Sequence, residues 1–359
     1  TRLHALGLIP SEPATEPNAE KVAKSRMEKA ELPASWDNSA GLPPVGDQGA
    51  QNSCVSWVTG YYMKTYQEGK EHGWNLTDPA HQFSPRFIYN QLQGFDEGSS
   101  FEDNLTLLTD QGCASLDDEP YLDTDYLTYP MADSYKNAIP FRAKDYTYLG
   151  NGETAQIFDA VKTVISSRDV VGVGIPIYRP NRTTLGLFDL LNEFDDEYDM
   201  PADEDVMLAG SHAVTIVGYD EAMFDGVGGY KIVNQWGTGW GDHGFAWISE
   251  RFLTTFALFF YKMSDRINYQ PTGMVHYKVS HDYWGYDKVI VSVGVGSVSA
   301  PSWRKAMNKN LERDGLTIDR WADLTDAEAY LPPDCTNRWW LNIYDGSTFD
   351  QSTLSLACI

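Results

Sequence analysis

Four residues constrain the fold of this chain most: Gln48, Cys54, His212 and Asn234. Cys54 follows Gln48 by six positions in Gln48-Gly49-Ala50-Gln51-Asn52-Ser53-Cys54. His212 opens an apolar run, Ala213-Val214-Thr215-Ile216-Val217, and Asn234 precedes Gln235-Trp236-Gly237. A sulfur nucleophile needs a base to take its proton, a third group to hold that base in one tautomer, and donors for a developing oxyanion. A thiol, an imidazole and two carboxamides supply those parts. Using all four requires the segment of Cys54 to pack against the segment of His212, 158 positions further on.

The order and flanks of these residues resemble the papain family of cysteine peptidases over roughly residues 32–265. The resemblance implies an α+β, two-lobed fold: a helical lobe facing an antiparallel β-barrel-like lobe. It gives Cys54 the role of nucleophile and His212 that of general base and acid. Asn234 orients the imidazole, Trp236 shields that hydrogen bond, and Gln48 with the Cys54 N–H forms the oxyanion hole. Gly98 and Ser99 would pair with substrate backbone; Gly174, Ser211 and Ala213 would border a pocket for an apolar side chain. The family's Cys-Gly-Ser-Cys-Trp signature reads Gln51-Asn52-Ser53-Cys54-Val55 here, so the disulfide that anchors this loop in the family has no counterpart. The expected function is a cysteine endopeptidase acting through a thioacyl-enzyme. The alternatives are a silent homologue that binds protein or glycan, and a transglutaminase-type acyl transferase.

Local patterns support such a layout. Val55, Val58, Tyr62 and Tyr66 recur at helical spacing after Ser53, with Asn52 or Ser53 available as cap. Ser84-Pro85 opens a second helix, and a third runs from about Phe101 to Gln111 before Gly112. Residues 153–167 are amphipathic. Val170 to Ile177 is apolar and β-branched, and three strand-like runs follow: 212–219, 230–233 and 244–248. An acidic insertion spans 192–205, to be read as a solvated loop, a calcium site or an attractor of basic substrates.

The chain divides into an N-terminal extension or propeptide remnant (1–31), a peptidase domain (32–267) and an accessory segment (268–359). The last alternates as antiparallel strands do and is expected to form a small β-sandwich. Its pattern resembles the P-domain of proprotein convertases. Residues 1–31 either wrap the surface or inhibit the enzyme from within. Cys335 and Cys358 could pair, leaving Cys113 as a small buried residue.

The net charge of −24 argues against nucleic acid and anionic membranes as partners. No apolar run approaches the roughly 20 residues of a membrane helix. The expected partner is a peptide or protein substrate. No cofactor is expected and, the histidines sharing no metal-ligand spacing, no metal. Secretion, with a signal peptide already removed, is expected from the enzyme class.

Overall fold

The computed structural model describes the chain apart from residues 1–3, 28–30, 93–94, 181–184, 200–205, 282–288, 308–316, 332–338, 346–351 and 359. The expected Cys335–Cys358 pair and the acidic residues Asp203, Glu204 and Asp205 lie outside the described residues or side chains.

The helices are α1 (Ala19–Met27), α2 (Cys54–Ser56), α3 (Thr65–His72), α4 (Pro85–Leu92), α5 (Phe101–Gln111), α6 (Ala132–Ala138), α7 (Ile157–Ser166), α8 (Met223–Gly226) and α9 (Glu250–Phe256). A π-helical stretch, Trp57–Lys64, joins α2 to α3, so one rod runs from Cys54 to His72. Gly73 ends it in the left-handed conformation (φ +65°). The expected caps on Cys54's helix are not used: Ser53 makes no capping bond, and its hydroxyl lies 2.8 Å from that of Tyr121. A partner 68 residues away outcompetes the local amide.

The strands are β1 (Ser35–Asp37), β2 (Ala143–Gly150), β3 (Val171–Arg179), β4 (Glu197–Tyr198), β5 (Met207–Asp220), β6 (Gly229–Val233), β7 (Phe245–Ser249) and β8 (Phe259–Asp265). They form one sheet in the order β2-β8-β3-β5-β6-β7-β4, with β1 beside β5. This is an open path, so the expected barrel-like lobe is a sheet without closure among the described residues. The pairings are antiparallel except β4 with β7.

Strand β3 shows why helices lie close on one face. Its sequence alternates Val171-Gly172-Val173-Gly174-Ile175, and successive residues of a strand point to opposite sides. Val171, Val173 and Ile175 join a core with Val161 and Ile165 of α7 and Ala23 of α1. The glycines face the helical layer, where a Cβ on Gly172 would meet Phe101 at 2.8 Å and Val58 at 3.1 Å. That layer's core includes Val55, Val58, Phe87, Leu105 and the buried free Cys113.

The expected acidic insertion is partly built into the sheet. Glu197 and Tyr198 pair with Trp247 and Ile248, and Asp199 takes hydrogen bonds from Ser249 and Arg251. Its described half is therefore an exposed loop, residues 192–196, that leads into a two-residue edge strand with an ion pair beyond it.

Beyond the sheet, β9 (Met274–His281), β10 (Val289–Ser297), β11 (Ala300–Ala306), β12 (Thr317–Asp323), β13 (Trp339–Asp345) and β14 (Ser352–Cys358) form two three-stranded antiparallel sheets, β11-β10-β13 and β12-β9-β14. Val275, Val279 and Ile318 from one share a core with Val291 and Val293 from the other. This unit is bolted to the helical layer through buried charge. Arg142 donates to Asp323 at 2.6 Å and to Asp326 at 3.0 Å, and Lys305 reaches the Asp110 carbonyl at 3.0 Å. Removing one partner of a buried pair strands the other charge, at a cost of about 3–5 kcal/mol. Asp323→Ala should therefore lower the melting temperature by several degrees in a thermal scan; an unchanged melt would mean the pair contributes nothing to this junction.

Candidate active site

The rod of α2 points its first residue, Cys54, at the start of the buried half of β5. Cys54, His212, Asn234 and Gln48 are all fully buried. The loop carrying Gln48 pairs with the loop carrying Asn234: the Gln48 N–H donates to the Gln235 carbonyl at 2.8 Å, and the Gly237 N–H to that of Gly46 at 2.9 Å. These bonds bring the two halves of the site into register.

His212 Nε2 lies 2.9 Å from Asn234 Oδ1. The same oxygen accepts the Gln235 N–H at 2.9 Å, which identifies it as oxygen; the Gln235 side-chain amide also lies 3.3 Å from Nε2, but the shorter contact to the Asn234 oxygen makes Nε2 the protonated nitrogen. Nδ1 thus carries the lone pair, and it makes no hydrogen bond. Trp236 stacks on the imidazole, with ring centroids 4.6 Å apart. Gln235 donates from its side chain to the Ala213 carbonyl at 2.8 Å and fixes the strand beside His212.

Where a disulfide would have anchored the Cys54 loop, polar contacts do so. Gln51 reaches the carbonyls of Leu122 (3.5 Å) and Asp125 (3.3 Å), and Asn52 bonds Asp96 through its N–H (3.0 Å) and side chain (2.7 Å). Tyr121 donates to the Gln48 carbonyl at 2.8 Å. Sequence reasoning missed Asp96 and Tyr121, because nothing local marks a residue that acts 44 or 73 positions away.

The cleft beside Cys54 is filled by residues 4–9 of the chain itself. Leu8 lies parallel to Ser99: the Ile9 N–H donates to the Ser99 carbonyl (3.0 Å), and the Ser99 N–H to that of Gly7 (2.9 Å). The Leu8 N–H donates to the Ser211 carbonyl at 3.2 Å. Leu8 is buried, and a Cβ on Gly174 would lie 2.6 Å from its side chain, with Phe259 and Phe101 just beyond. Gln48 Nε2 donates to the Ala5 carbonyl at 3.3 Å and to that of Gln51 at 2.8 Å. His4 stacks on Trp236 at 4.2 Å. Gly98 adopts φ +101°, and a Cβ there would overlap the Gly7 carbonyl. Gly98, Ser99, Gly174, Ser211 and Trp236 each meet residues 4–9, and Ala213 lies beside them as the register partner of Gly174.

Under this cover the titrating groups are neutral. Burial pushes the Cys54 thiol up to about 11, opposed more weakly by the backbone amides of Ala213, Gly7, Val55 and Cys54 itself. Burial pulls His212 down to about 4, against the hydrogen bond to Asn234. The resting pair is thiol and imidazole, and no hydrogen bond joins them.

Residues 198–255 match the family model described as papain family cysteine protease. Xylellain, a cysteine protease from Xylella fastidiosa, is 21% identical with a TM-score of 0.57, covering 72% of this chain and 96% of its own. The fold is papain-like. The papain-like fold also relates the chain to the digestive procathepsin L2 proteinase of the Tenebrio molitor larval midgut, 19% identical with a TM-score of 0.55, over 73% of this chain and 78% of that one. Procathepsin B S9 from Trypanosoma congolense is 17% identical with a TM-score of 0.51, over 73% and 83%. No curated protein sequence matches the chain.

Proposed function

We propose that this chain is a papain-like cysteine endopeptidase held latent by residues 4–9. The observation that carries the reading is the buried His212–Asn234 bond, which leaves the Nδ1 lone pair of His212 on the side of the ring away from the carboxamide. With the groove open, water and substrate reach the site, and the desolvation that keeps the pair neutral is relieved. His212 Nδ1 then takes the Cys54 proton. The thiolate attacks the scissile carbonyl carbon, and the oxyanion is held by Gln48 Nε2 and the Cys54 N–H. Imidazolium Nδ1–H protonates the leaving amine, giving a thioester. His212 then removes a proton from water as that water attacks the thioester, and Cys54 leaves as thiolate.

Leu8 supports a preference for substrates with a bulky apolar residue in the pocket at Gly174 and Ala213. Residues 268–359 act as a β-sandwich accessory domain, and their likeness to a P-domain remains part of this proposal. Among the described residues no helix is long and apolar enough to cross a membrane. A latent peptidase suits export, where activity must wait until the enzyme has left its maker, and we place it outside the cell.

The reading is tested with a chain lacking residues 1–10 and a thiol-directed epoxide. One covalent adduct at Cys54, formed at neutral pH and absent from Cys54→Ala, is expected. An unlabelled Cys54 in a folded, truncated chain would point to a silent binding homologue instead.

A further inference from the structure

The far end of the Cys54 rod holds a cluster that the sequence reading, which compared histidines only with one another, did not find. Glu68, Glu71 and His72 occupy positions i, i+3 and i+4 of α3 and so share one face. One ligand atom from each lies within 4.8 Å of the others. Lys64 and Asp265 close the cluster from behind: Lys64 Nζ is 2.5 Å from both Glu68 Oε1 and Asp265 Oδ1.

Charge and hydrogen bonding both leave this cluster incomplete. The side chains of Lys64, Glu68, Asp265 and Glu71 are only 0%, 5%, 6% and 8% exposed. Three buried carboxylates thus face one ammonium. Buried charge is expensive unless paired or bound to a metal. Glu71 Oε1 accepts the Asn268 N–H at 2.6 Å, whereas Glu71 Oε2 is buried with no hydrogen-bond partner. Glu68 gives one oxygen to Lys64 and turns the other to His72 Nε2, 3.1 Å away. His72 is the exposed member, at 36%, and its ring is held by stacking on Trp74 with centroids 4.7 Å apart.

We propose that Glu68, Glu71 and His72 bind one divalent transition-metal ion, zinc by preference, which ties α3 to the connector at Asn268. An imidazole with two carboxylates is a donor set that zinc accepts. Two positive charges offset the two that Lys64 leaves unmatched. Donors about 2.1 Å from zinc lie roughly 3–4 Å apart, so the three atoms need to close by about an ångström. The site is 14 to 18 residues along the rod from Cys54, roughly 20–27 Å by helical rise, and its occupancy does not depend on the peptidase reading.

The test is calorimetric titration of zinc chloride into the chelator-stripped full chain carrying Cys54→Ser, which removes the catalytic thiol as a rival ligand. One ion per chain is expected, with a rise in melting temperature. His72→Ala and Glu71→Gln should each weaken binding at least about tenfold, on the scale by which single groups at metal sites act, and abolish the thermal shift. His72 is partly exposed and Glu71→Gln keeps the shape, so both variants should melt like the parent without zinc. No saturable uptake, or uptake unchanged in both variants, overturns the proposal.

Discussion

Replacing Gly7 with valine should convert a nearly inert thiol into a reactive one without touching the catalytic groups. An ideal Cβ on Gly7 would lie 1.8 Å from the Asn52 carbonyl oxygen, and the Asn52 backbone is held by Asp96. The loop cannot yield, so the segment must lift. In the covered state the Cys54 thiol is pushed up to about 11. At pH 7 that leaves on the order of one thiolate in 10⁴. A thiol returned merely to its ordinary value near 8.5 is a few per cent thiolate, several hundred times more. Pairing with His212 raises the fraction further. The rate of iodoacetamide alkylation of Cys54 at pH 7 should therefore rise at least about 100-fold in Gly7→Val or in the chain lacking residues 1–10. The pH profile gives the sign independently. In the parent, burial holds the thiol protonated and covered, so the rate should be low at neutral pH and rise with pH above it. In the opened chain it should already be high at neutral pH and nearly flat above. Equal rates and equal profiles would show that residues 4–9 do not control the site.

The parts of this arrangement that were legible in the sequence are those encoded by local spacing. The apolar stripe of Val55, Val58 and Tyr62 gave the helix that carries Cys54, and Gly112 ends α5 as read; its start is capped by a residue that was not singled out, Ser100, whose hydroxyl accepts the Asp103 N–H at 3.1 Å. The β-branched run after Val170 gave β3. Strands β2, β8, β11 and β12 were not identified, because their charged and aromatic residues follow no clean alternation. The occupation of the groove was left open, residues 1–31 being read as either a surface wrap or an inhibitor, for a different reason. Residues 7–9 are held chiefly by backbone hydrogen bonds to Ser99 and Ser211, and main-chain groups carry no sequence signature. Leu8 fits because Gly174 lacks a side chain, a fact visible only once β3 is beside the cleft. The anchoring of the Cys54 loop was likewise hidden: Gln51 looks like the loss of a disulfide until the carbonyls at Leu122 and Asp125 are placed beside it.

In the chain lacking residues 1–10, Cys54→Ala should reduce kcat/KM for a leucine-containing fluorogenic peptide by at least about 10⁴, since removing a nucleophile leaves only binding and oxyanion stabilisation. Asn234→Ala should act differently. It leaves the thiol in place but removes the acceptor of the His212 Nε2 proton, 2.9 Å away in a buried site. The imidazole is then free to turn or to carry its proton on Nδ1, the atom that must accept from sulfur. A fall in kcat of about 10²–10⁴ is expected, the range from general-base loss to a wrong-tautomer histidine, with KM little changed because Asn234 does not line the groove. Gln48→Ala, which removes one oxyanion donor, should cost about 10²–10³ in kcat. The ordering matters more than any one value. If Cys54→Ala retained the activity of Asn234→Ala, sulfur would not be the attacking atom. If Asn234→Ala were silent, the buried bond to His212 would be packing alone, and the orientation of Nδ1 would have to come from Trp236.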